Sequence, residues 1–93
     1  MRELTWDDFA DSVGKGYAIE ADGCAIPLTL AVLEKLPSSG RGGGSFRIEF
    51  TGPLESMLPQ AIYPFTRDGE TVEIFIAPIA RDATGVRYEA VFF

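Results

Sequence analysis

Histidine is absent from this chain, cysteine occurs once, and cations number 8 against 14 carboxylates. Each shortage removes a class of chemistry. Without histidine there is no Ser–His or Cys–His nucleophile pair, and the commonest metal ligand is missing. The single cysteine, Cys24, forms no internal disulfide and, with no histidine to join it, builds no structural zinc site. A net charge of −6 and a pI near 4.4 repel phosphate backbones and anionic bilayers, so neither nucleic acid nor a membrane surface is an expected partner. Long apolar runs are lacking too. None approaches a membrane span, and the opening MRELTWDDF has no apolar signal region. With one unpaired thiol, a reducing, cytoplasmic setting is expected.

What remains is an ordinary globular composition, 46% hydrophobic and 24% charged over 93 residues, and it predicts a single domain spanning 1–93. The acidity is uneven. Residues 1–22 hold Glu3, Asp7, Asp8, Asp11, Glu20 and Asp22 against Arg2 and Lys15, which is −4 of the −6. The stretch LTWDDFADSVG predicts a short α-helix over about 5–13. Thr5 is a good N-cap with Asp8 three residues on, Leu4 can staple onto Phe9, and Trp6, Phe9, Ala10 and Val13 share one helical face. Gly14 ends it.

From about residue 16 to 93 the period changes to 2. Tyr17 and Ile19 alternate with polar or small residues, and Asp22-Gly23 marks a tight turn. Cys24, Ile26, Leu28, Leu30 and Val32 line one side of a long strand that Pro27 marks as an edge or a bulged segment. PSSGRGGGS and GPLESMLP are loops, FRIEF and AIYPF are strands, and Asp68-Gly69 is a second tight turn. ETVEIFIAPI and GVRYEAVFF complete about six short strands, Cys24 being a small core residue. The predicted fold is mainly β: a small antiparallel barrel or sandwich with a short N-terminal α-helix.

FRIEFTGP, LPQAIYPF, IFIAPI and YEAVFF, with the opening LTWDDFADSVGKGY, together resemble a family of small bacterial single-domain proteins of unknown function. The resemblance covers nearly the whole chain. It departs at Phe93, where the family pattern has a polar residue. It implies the fold, and it implies no catalytic residue, cofactor or substrate.

The constellations that carry chemistry all have plainer readings. Asp7, Asp8 and Asp11 lack the alternating oxygen ligands and turn glycine of a calcium loop, and suit the positive end of a helix instead. SSGRGGGS lacks the lysine and strand-to-helix setting of a phosphate loop. Glu49, Glu73 and Glu89 are outward residues that cross-strand pairing with Arg47 and Arg87 accounts for. No catalytic residue, metal site or cofactor is therefore expected, and the chain is not expected to be an enzyme.

Four apolar residues fall on outward positions: Ile62, Phe75, Val91 and Phe93. Either the helix face of Trp6, Phe9 and Val13 covers them, or another chain does. The first expectation is a non-catalytic interaction or assembly module that binds a protein partner or self-associates through these four. The alternative is a small-ligand-binding barrel using Trp6, Tyr17, Tyr63 and Tyr88.

Overall fold

Six antiparallel strands close into a barrel in the computed structural model, which describes residues 4–21, 23–36 and 45–92. The strands are β1 (Gly16–Ala21), β2 (Cys24–Lys35), β3 (Phe46–Gly52), β4 (Ala61–Arg67), β5 (Glu70–Asp82) and β6 (Gly85–Phe92). Their order around the wall is β1-β2-β3-β6-β5-β4, so β1 meets β4 to complete the ring. Of the two predicted architectures, barrel and sandwich, the chain adopts the barrel. Closure comes from the two longest strands. The first half of β2 pairs with β1 and its second half with β3; β5 divides in the same way between β4 and β6. That division is how tilted strands bridge successive neighbours in a small barrel. It also explains Pro27, which sits opposite Ala18 in the part of β2 that precedes the ladder to β3.

Alternation then fills the interior. Ile19, Leu28, Leu30, Ile48, Phe50 and Phe65 are essentially inaccessible, with Ile74, Ile76, Val86 and Tyr88 from the far wall. Tyr17, Phe50 and Phe65 pack edge-on or tilted at centroid distances of 4.7–6.0 Å, a favoured aromatic geometry. Two bulges interrupt the pattern. One shifts register between Leu30 and Val32, so that Leu33 and not Val32 packs against the core. The other lies between Pro78 and Ala80, where proline has no N–H to give the ladder.

The Asp68-Gly69 turn forms, whereas Asp22 of the other predicted turn lies outside the described residues. Asp68 and Gly69 have φ of 53° and 79°, the double positive φ of a type I′ hairpin. At the foot of the β3–β6 ladder Gly85 has φ 150° and backs onto the Gly52 carbonyl, so a side chain there would strike backbone.

The N-terminal α-helix does not form. Trp6–Asp8 is a single 3₁₀ turn, and the chain continues in i→i+3 turns, with Phe9 N–H to Trp6 O (3.0 Å), Ser12 N–H to Phe9 O (2.9 Å) and Lys15 N–H to Ser12 O (2.9 Å). The Asp8 half of the capping box is present: its carboxylate accepts the Thr5 N–H at 2.6 Å and the Thr5 hydroxyl at 3.2 Å. Packing decides the rest. So short a segment gains little from helical propensity. The turn instead drops Leu4 and Phe9 into one end of the barrel, where Phe9 meets Phe46 and Phe92 at 5.9 and 6.0 Å. Ser12 is buried and accepts a hydrogen bond from Arg67 (3.1 Å), while Val13 is left 49% exposed.

The opposite end is stoppered by the β3–β4 loop. Leu58 is buried there, its N–H donates to the Tyr88 hydroxyl at 2.9 Å, and that hydroxyl donates to the Ser56 carbonyl at 3.2 Å.

Candidate functional site

The outer wall divides in two. Across the middle of β3 and β6, with Glu34 of β2, lies a group of charged and matched outward residues. Arg47 faces Glu34 across one ladder and Val91 across the other, and Glu49 stands directly opposite Glu89. Two carboxylates in that position repel, and the arginines resolve it. The Arg47 guanidinium donates to Glu89 (2.8 Å), Glu34 (3.0 Å) and Glu49, while Arg87 approaches Glu49 at 4.0 Å and Asp82 at 3.3 Å. Arg47 and Glu49 are only 18% and 12% exposed. The hydrogen bond that Arg47 donates to Glu49, then that to Glu89, holds its pKa well above the ordinary arginine value, so it stays charged. With its donors engaged by three carboxylates, this cluster is a structural strap across three strands.

The outer face of β4 and β5 is different. Ile62 lies opposite Phe75 in the ladder, and the two are 63% and 51% exposed. Ile79, 47% exposed, follows Phe75 and Ala77 on outward positions of β5. Pro64 faces Glu73 in the next row, and Thr66 and Thr71 share a hydroxyl hydrogen bond of 3.1 Å in the row after. Glu73, which the sequence grouped with Glu49 and Glu89, has no ion pair among the described residues, because proline and not arginine stands opposite.

The structure therefore joins two of the four predicted contact residues, Ile62 and Phe75, as a cross-strand pair. Val91 lies apart. It is 39% exposed beside Arg47, and the β5–β6 ladder stops at Ala77 and Glu89, short of joining it to Phe75. Phe93 lies outside the described residues, as does the glycine-rich loop over 37–44. The described part of the N-terminal segment does not cover the apolar pair: Trp6 packs edge-on to Phe46 (6.3 Å) under Lys35, at the mouth of the barrel.

Ile79 was missed by sequence reasoning. Its signal was the outward series at 75, 77 and 79, with Pro78 marking the bulge. Cys24 is exposed rather than core, since it begins β2 at the tip of the β1–β2 hairpin, opposite Ala21.

Side chains occupy the barrel interior. One cleft of about 100 Å³ opens between the N-terminal segment and the β4–β5 turn, lined by Leu4, Tyr17, Phe65, Arg67 and Val72 among others. Ligand pockets run from roughly 300 Å³ upward, and of the four rings expected to line one only Tyr17 reaches it. Tyr88 is fully buried in the core and Tyr63 donates to the Pro59 carbonyl at 2.6 Å. Among the described residues no group of three acidic or thiol side chains is placed to hold a metal, and no helix is long and apolar enough to cross a membrane.

These features define a small, closed, six-stranded antiparallel barrel with a side-chain-filled interior and one bare apolar stretch of wall. The chain belongs to the family described as Domain of unknown function (DUF6916), whose model matches residues 4–92. No curated protein and no solved structure matches it.

Proposed function

We propose that this barrel is a non-catalytic protein-interaction module whose contact surface is the outer face of β4 and β5. One observation carries the reading: Ile62 and Phe75 form an adjacent cross-strand pair, each more than half exposed, and the N-terminal segment that could have covered them lies at the end of the barrel. A pair of large apolar side chains on a rigid sheet is the size of an interface hot spot, and the threonines and glutamates around it supply a polar rim. Strands β4 and β5 hold it on a two-residue hairpin, so little ordering entropy is lost on binding.

The test is in-cell photocrosslinking from a probe at Thr66 or Ala77, in the wild-type chain and in Phe75→Asp and Ile62→Asp. A partner captured by the wild type and lost in both folded variants is the expected result. Identical crosslinks in all three chains would remove the face from consideration.

A further inference from the structure

The same face shows what kind of partner it fits, and this step rests on the reading of β4 and β5 as the contact surface. Beside the Ile62–Phe75 row lies the row of Pro64 and Glu73. Ile19 and Phe65 are the last pair of the ladder by which β1 closes the barrel; Glu20 and Pro64 are the next residue of each strand, and both are exposed. Glu20 and Glu73 are exposed, and among the described residues neither has an ion pair. Strand spacing separates their strands by about 10 Å and places their row about 7 Å from the apolar one. The arginines of the opposite wall are spent on Glu34, Glu49, Glu89 and Asp82. The face is thus an apolar row flanked by an acidic row without a cation of its own.

We infer that the occupant is a protein segment carrying an aliphatic or aromatic side chain with a lysine or arginine beside it. The apolar group covers Ile62 and Phe75, and the cation, about 7 Å away, sits between Glu73 and Glu20. A second copy of this chain fits poorly. It carries −6, and a two-fold contact on this face sets Glu20 and Glu73 of one copy against those of the other.

The experiment is affinity selection from a library of random linear peptides on the folded chain, with counter-selection on the Ile62→Asp/Phe75→Asp double variant. Should aspartate unfold the sheet, threonine at both positions replaces it. Peptides that need the apolar pair are expected to carry a Lys or Arg close to an apolar residue. Glu20→Gln with Glu73→Gln should weaken them about five- to tenfold at low salt, and less at high salt. Pair-dependent peptides that are neutral or acidic, or that ignore the glutamine substitutions, would overturn the inferred partner chemistry and leave the contact face standing. A selection yielding no pair-dependent peptide would overturn both. Light scattering that finds a wild-type dimer dissolved by the double variant would make a second copy the occupant and sink the inference.

Discussion

The β2–β3–β6 wall and the β4–β5 wall are built from the same alternating strands around the same core, yet they leave their outer faces in opposite states. On the first, Arg47 is ringed by Glu34, Glu49 and Glu89 and is mostly buried by them. On the second, Ile62 and Phe75 stand opposite each other and more than half exposed, and Glu73 faces a proline. The contrast teaches that exposed residue type is no guide by itself. Glutamates at 49, 73 and 89 look alike in the chain, but Glu49 and Glu89 are held by Arg47 while Glu73 has no ion pair among the described residues. On the proposed reading, stability demands on one wall and binding demands on the other are thereby separated, so each can be broken alone.

Arg47→Met should have the largest effect. It removes the cation from between three carboxylates and leaves Glu49 and Glu89 opposed and largely shielded from water. Breaking a partly buried pair in this way is expected to cost about 2–3 kcal/mol, or roughly 10 °C or more of melting temperature in a domain of this size. Thermal unfolding by circular dichroism measures it. Adding Glu49→Gln and Glu89→Gln should recover much of the loss, since the variant's penalty is mainly the unpaired charge. A melting temperature unchanged by Arg47→Met would mean that the two walls do not differ in the way described.

Ile62→Thr with Phe75→Thr is the converse. Threonine suits a strand, and the cross-strand pair is worth only about 0.2–1 kcal/mol, so the melting temperature should move by a few degrees at most while partner capture falls at least tenfold. If the double variant instead melts as low as Arg47→Met, the pair is structural and the walls are equivalent. Salt sharpens the same point at smaller amplitude. Raising ionic strength from low to high should weaken the wild type by a few tenths of a kcal/mol, and this dependence should be smaller in Arg47→Met and persist in full in the threonine pair.

How much of this was legible in the chain follows from which forces act locally. The strands, the Asp68-Gly69 turn and most of the inward residues came from period-2 alternation and from an Asp-Gly pair, which need no long-range information. Arg47 and Arg87 as partners of Glu49 and Glu89 followed from outward parity alone. The N-terminal helix did not follow, because its capping residues and apolar spacing are as compatible with a 3₁₀ turn, and the choice belongs to Phe46 and Phe92, distant in sequence. Val32 and Leu33 exchanged places because a bulge inverts parity and nothing at Ala31 announces it. At the proposed contact face, Ile62 and Phe75 were legible one by one as outward apolar residues. Their adjacency depends on the β4–β5 register, the absence of cover depends on the fate of the N-terminal segment, and Glu20 joins them only once the barrel closes.

Asp82 gives the smallest and most discriminating effect, because it is a charged-wall pair without burial. Its carboxylate accepts the Thr84 hydroxyl at 2.6 Å and the Thr84 N–H at 2.9 Å, and it meets Arg87 at 3.3 Å. Those bonds, the Thr84 hydroxyl foremost, lower its pKa from 3.8 to about 2. A carboxylate depressed on folding adds stability above its unfolded pKa and loses it as pH falls through the folded one. The window is therefore from about pH 4 down to about pH 2. Melting curves of the wild type and Asp82→Asn should differ slightly at pH 6 and converge across that window. The group is open to solvent, so the difference should also shrink with salt. Arg47→Met keeps most of its deficit at pH 6 even at high salt, since most of that deficit is buried. If Asp82→Asn proved as costly as Arg47→Met at pH 6, pairing rather than burial would be what distinguishes the charged wall, and the unpaired Glu20 and Glu73 would gain weight as the feature that sets the other wall apart.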